Sequence, residues 1–181
     1  MAGYLPQYNT YYGVYLNHID ETWGGLTYNK ILVTEFPNEY LSTTSYELGQ
    51  TARLLYLTLW KNKYYIDGIV EGHVSLYNES STGSATLTSF TVSLRKTDDV
   101  PSNETVLGSY TKTISSDNII NKEDYLTLPV YMNVDKQLID EGEKLLIYLE
   151  HNASAASVGW AHANDSTTID MQIKIPFAPS G

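Results

Sequence analysis

Cysteine is absent from these 181 residues, so no disulfide staples the fold and no thiolate can act as nucleophile or metal ligand. Lysine and arginine are missing from residues 1–29, and the whole chain sets 11 of them against 21 Asp and Glu, for a net charge of −10. Nucleic-acid binding draws on a basic surface that displaces counterions, and this chain offers the reverse. No apolar run reaches the roughly 18 residues of a membrane helix. The longest, LLYLTLW at 54–60, is broken by Thr58 and bounded by Arg53 and Lys61. The start MAGYLPQY carries neither the cation nor the apolar stretch of a secretory leader, so the expectation is a protein assembled in the cytoplasm. Phosphate-cradling GxGxxG and Walker loops are missing, as is the zinc motif HExxH.

What the chain has in quantity is tyrosine, 16 residues, and hydroxyl side chains, 35 Ser and Thr. With 42% hydrophobic and 18% charged residues it is globular, and Tyr, Thr, Val and Ile fit a pleated, half-buried surface. Strict alternation confirms the preference. In KYYIDGIVEGHVSLY, Tyr64, Ile66, Gly68, Val70, Gly72, Val74 and Leu76 share one face, while Tyr65, Asp67, Ile69, Glu71, His73, Ser75 and Tyr77 share the other. The run exceeds an ordinary strand, so Gly68 and Gly72 are expected to mark bends or bulges. TTIDMQIKIPF alternates as cleanly, with Ile169, Met171, Ile173 and Ile175 inward, and is expected to stop at Pro176. Seven more runs, at 13–19, 27–35, 51–60, 85–96, 104–114, 124–133 and 143–151, are separated by turn-forming stretches such as FPNEY and NESSTGS. VDKQLIDEG is the one helical hint. The pattern predicts an all-β antiparallel sandwich of about eight or nine strands.

LTLPVYMNVDKQLIDEGEKLLIYLE carries Leu138, Gly142, Glu143, Leu145, Ile147 and Leu149 in the order hydrophobic, turn glycine, acid, alternating strand. This stretch resembles the paired strands of jelly-roll modules in viral capsid, decoration and fibre-head proteins and in trimeric tumour-necrosis-factor-like domains. The resemblance implies a jelly roll and a homotrimer. The expected organisation is an extended N-terminal arm over 1–12 and a single jelly-roll domain over 13–181.

No constellation for catalysis emerges. His18, His73, His151 and His162 are scattered, and His73 falls on the outward face of its strand. His151, His162 and Asp165 lack the nucleophile elbow that would make a triad of them. Asp20–Glu21, Asp98–Asp99 and Glu123–Asp124 are adjacent acids in turns, not a pair across a cleft. TDDVPSNET and HANDSTTID cluster oxygen ligands that could hold calcium, but neither has D-x-D-x-D spacing. No catalytic residue, metal ligand or cofactor is assigned. Four Asn-x-Ser/Thr sequons, at Asn78, Asn103, Asn152 and Asn164, read as a product of composition.

Surface contact remains. Tyr4, Leu5 and Tyr8 flank Pro6, and with Tyr11 and Tyr12 they form the expected subunit-docking arm, tyrosine supplying broad amphipathic area at low entropy cost. Trp23, Trp160 and His162 form a possible ligand-stacking loop set, Trp160 equally readable as a core plug. The expected function is a non-enzymatic virion protein, a capsid decoration or capsid-associated subunit. Its partners are its own copies and a shell protein, without nucleic acid or membrane. The alternative is a carbohydrate-binding or adhesin module in which those aromatics stack on a glycan. A cupin-type enzyme would need a metal set that the four histidines do not provide.

Overall fold

The computed structural model describes residues 10–17, 21–23, 26–28, 30–33, 46–48, 50–56, 63–98, 103–115, 118–161 and 171–179. They form strands and no helix: β1 (Thr10–Asn17), β2 (Glu21–Trp23), β3 (Leu26–Tyr28), β4 (Lys30–Val33), β5 (Tyr46–Leu48), β6 (Thr51–Tyr56), β7 (Tyr64–Asn78), β8 (Ala85–Thr97), β9 (Thr105–Thr113), β10 (Ile119–Ile120), β11 (Asp124–Ile139), β12 (Lys144–Ala153), β13 (Val158–Ala161) and β14 (Gln172–Pro179). Each alternating run of the sequence contains strand, the run at 27–35 being divided between β3 and β4, so the described strands outnumber the eight or nine expected. The short β2, β5, β10 and β13 are additions to them.

Two layers share the core. In one, β9 and β10 line one edge of β8, followed by β12 and β6. In the other, β11 lines one edge of β7, and β14 and β13 divide the opposite edge, with β1 beyond β14 and β5 beyond β13. β4 joins the layers, antiparallel to β1 and parallel to β6, the one parallel pairing among the described residues. The layers meet through alternate side chains. Leu145, Ile147 and Leu149 of β12 and Phe90, Val92 and Leu94 of β8 lie buried in one cluster with Ile66, Val70 and Val74 of β7 and Ile173 and Ile175 of β14. Each such aliphatic side chain contributes about 1.5–3 kcal/mol on leaving water.

β7 follows the alternation of its sequence, and both of its glycines have structural duties. Gly68 has φ +119° and sits where the β14 partner jumps from Lys174↔Glu71 to Phe177↔Ile66. At Gly72 a Cβ would stand 1.9 Å from the Gln172 carbonyl oxygen, so only glycine lets β14 lie this close.

Three expectations need correction. VDKQLIDEG is not helical: β11 runs on to Ile139 through a bulge, its partner moving from Val134↔Gly68 to Gln137↔Ile66. β14 does not stop at Pro176 but passes through it, Pro176 being paired with Tyr11 of β1. The arm cannot extend to residue 12, because β1 begins at Thr10 and Tyr11 and Tyr12 are already sheet members facing Pro176 and Ile175 in register. Tyr4, Leu5 and Tyr8 lie outside the described residues. Gly142 does supply the expected turn, with φ +87° between β11 and β12.

Candidate interaction surface

β11 borders its layer, and its residues alternate without a break from Tyr125 to Asn133. Leu128, Val130 and Met132 point into the core. Tyr125, Thr127, Pro129, Tyr131 and Asn133 are all exposed, and none of the five is charged. Tyr131 is 55% and Tyr125 43% exposed, the two largest exposed aromatics among the described residues. Eight residue steps at about 3.4 Å make the stripe roughly 27 Å long.

Register sets this row beside β7, where Tyr77 and His73 are half-buried, Ser75 is buried and Glu71 alone is exposed. Tyr125 pairs with Tyr77, Thr127 with Ser75 and Pro129 with His73, and Gln172 of β14 continues that last row. The Tyr77 and Tyr125 rings meet at 4.6 Å between centroids, tilted by 43°. Ser75 Oγ and Thr127 Oγ1 share a hydrogen bond at 3.0 Å. Fixed charge enters only in the next row, with Glu71 opposite Tyr131 and Lys174 beyond it. At the far end Lys136 Nζ lies 4.2 Å from the centre of the Tyr65 ring. Protein interfaces are enriched in tyrosine and depleted of charge at their centres, and the outer row of β11 has both properties in a chain of net charge −10.

The backbone edge of β11 is less inviting than its face. Pro129 has no N–H to offer, the bulge at Asp135–Lys136 breaks the ladder, and Gly108 of β9 stands against this end of the strand. A Cβ on Gly108 would come within 2.8 Å of Val134 Cγ2. Recognition here therefore runs through side chains.

An ion-pair clasp closes the same end of the sandwich. Lys63 Nζ lies 2.7 Å from Asp140 Oδ1, and Lys96 Nζ lies 2.9 Å from Glu143 Oε2. Glu143 Oε2 also accepts the Asp140 N–H at 2.7 Å, and Lys96 Nζ donates to the Leu138 carbonyl at 2.9 Å. The hydrogen bond from Lys63 holds the Asp140 carboxyl below its ordinary pKa, and the same bond raises Lys63. On the opposite layer Arg95 Nη1 pairs with Glu104 Oε2 at 2.6 Å, its guanidinium 3.9 Å from the centre of the Tyr148 ring.

Trp160 is not on a loop. It lies in β13 between Glu47 of β5 and Leu76 of β7, 3% exposed, with its ring edge-on to His151 at 5.5 Å. His151 continues the inward row of β12 and Trp160 belongs to the facing layer, so the pair is a contact across the core. Buried there, Trp160 has no open face for a sugar ring. Trp23 ends β2, and His162 lies outside the described residues. Trp160 is thus withdrawn from the expected stacking set, and the structure brings forward tyrosines of β11 in its place. Their signal was present in DYLTLPVYMN, whose odd positions are Tyr, Thr, Pro, Tyr and Asn. Among the described residues no three His, Asp or Glu side chains gather at metal-binding distance. No described helix is long and apolar enough to cross a membrane.

No family model and no curated protein matches the chain. Solved structures do. A CocE/NonD family hydrolase from Staphylococcus aureus superposes on 96% of this chain with a TM-score of 0.59 at 11% identity. An aminopeptidase from the marine sediment archaeon Thaumarchaeota archaeon superposes on 93% with a TM-score of 0.62 at 8% identity. This chain spans 37% of the length of each. At such identity the likeness is one of fold: this β architecture recurs as a portion of larger chains.

Proposed function

We propose that the protein is a non-enzymatic β-sandwich subunit of jelly-roll type that works through protein–protein contacts in a larger assembly, a virion shell or its outer decoration being the assembly its features fit best. One observation carries the reading: the exposed, uncharged, tyrosine-bearing outer row of β11 on a strongly acidic chain. The Gly142 turn between two long strands, and the recurrence of the fold as a portion of larger chains, support the use of this sandwich as a module. The hydrolases it resembles are matched over 37% of their length, so their activity is not carried over. The stripe alone is smaller than the roughly 800 Å² per partner of a stable interface, so it forms the centre of a wider contact.

The test is sedimentation velocity at micromolar concentration on the wild type and on a Tyr125→Glu/Tyr131→Glu double variant. A homotrimer is expected for the wild type and a folded monomer for the variant, its unfolding midpoint slightly lower because the Tyr77 ring contact is lost and a carboxylate at 131 faces Glu71. A wild-type chain that stays monomeric and binds no shell protein would overturn the proposal. Retention of the wild type, but not the variant, on a glycan array would give the tyrosine face to the carbohydrate reading instead.

A further inference from the structure

Asn78 opens the sequon Asn78-Glu79-Ser80, yet it is wholly buried, 0% exposed. All four hydrogen-bonding positions of its amide are used. Nδ2 donates to the Gly83 carbonyl at 3.0 Å and to the Ile120 carbonyl at 3.1 Å. Oδ1 accepts the Ser80 N–H at 3.1 Å and the Ser157 hydroxyl at 2.8 Å. Its backbone carbonyl accepts the Glu123 N–H at 2.8 Å. One side chain therefore ties the β7–β8 turn, β10 and the β12–β13 turn together at one end of the sandwich.

N-glycosylation would put a bond from Nδ2 to the anomeric carbon of a lipid-linked oligosaccharide, expelling the lipid diphosphate while the amide gives up one proton. That proton is one of the two now held by Gly83 and Ile120. The sugar would also occupy space the folded chain fills. We infer that Asn78 is a structural node which a glycan would destroy, and that among the described residues the native fold leaves Asn103 and Asn152 as acceptors. The chain accordingly reaches its fold on a route where the Asn78 sequon goes unread. Asn103 and Asn152 both lie exposed, Asn103 with only its Asp98 contact at 3.2 Å. The inference is independent of the tyrosine face.

The test uses a purified oligosaccharyltransferase and a lipid-linked oligosaccharide, applied to the full chain in native and urea-unfolded form, with site occupancy read by mass spectrometry. Ser80→Asp is the control. It removes the sequon but keeps an acceptor for the Thr82 and Gly83 N–H groups that Ser80 Oγ now binds at 3.3 and 3.1 Å. On native protein, occupancy at Asn78 should be lower than at Asn103 by about tenfold or more, since a buried amide is reached only through opening. On unfolded protein Asn78 should be taken, and the molecules carrying that glycan should fail to refold, while treated Ser80→Asp chains recover. Native protein modified at Asn78, Asn78-glycosylated chains that refold, or Ser80→Asp chains that fail alike after treatment would each overturn the inference. The native occupancy ratio stands even where the Ser80→Asp variant itself folds poorly.

Discussion

A single methyl group at position 72 would be felt across the whole β7 layer. Its carbon would fall 1.9 Å from the Gln172 carbonyl oxygen, a backbone atom that cannot step aside alone. We expect Gly72→Ala to cost about 3 kcal/mol in urea unfolding, the upper range for overpacking. Gly83→Ala, with no atom within 4 Å of the added carbon, should stay within about 0.5 kcal/mol of the wild type. Trp160→Ala should cost about 3–5 kcal/mol, as removal of a large core aromatic does, and a Trp160 that quenches freely with added iodide would contradict its place between the layers. The sequence hides that burial. Small residues surround Trp160 locally, and the strands that enclose it come from Glu47 and Leu76, far away along the chain. The glycines of β7 are easier to read, because a glycine on the inward face of an alternating run leaves few roles besides a bend or a close approach.

Among the elements, strands wider than one bulge are legible and bulges are not. Period-two alternation marks β7, β8, β11, β12 and β14 because each has one face in the core. At Asp135–Lys136 the extra residue puts Gln137 three positions after Val134 in the inward row, a spacing that imitates a helical turn. β5 and β10, three and two residues long, carry no period at all. β1 gives the sharpest test at this scale. Removing residues 1–9 should leave the domain folded, whereas removing 1–17 takes away the strand between β14 and β4 and should abolish cooperative unfolding in circular dichroism. The β11–β12 turn carries a pH signature. Lys63 depresses Asp140 through their hydrogen bond, so the folded chain binds fewer protons there than the unfolded one near the ordinary aspartate pKa of about 3.9. That contribution is complete above this pH and is lost as the pH falls through the lower folded value. Lys63, raised by the same bond, loses its share only as the pH climbs past the usual lysine range. Asp140→Asn should therefore unfold earlier than the wild type at neutral pH and together with it in strong acid. Both groups are exposed, so the gap is small and shrinks in salt.

At the level of the whole molecule, charge decides which surfaces can meet. Copies carrying −10 repel one another, and the outer row of β11 brings no charge of its own to a contact. Raising the salt concentration should strengthen self-association of the wild type and leave the Tyr125→Glu/Tyr131→Glu variant far behind, a comparison that sedimentation equilibrium makes directly. The all-β sandwich was legible from alternation and composition. The tyrosine face was legible only once β11 was known to border its layer, because outward residues on a covered strand would read the same. The way the two borders are finished has a further effect. β9 carries a bulge opposite Leu94–Arg95 and an exposed lysine at 112, and β11 carries Pro129 and its own bulge. An incoming strand finds no long straight ladder to extend on β9 or β11, so neither of these strands is a template for cross-β growth. Copies of this chain crowded together would meet at these two strands through side chains, with neither backbone offering the other a ladder to join.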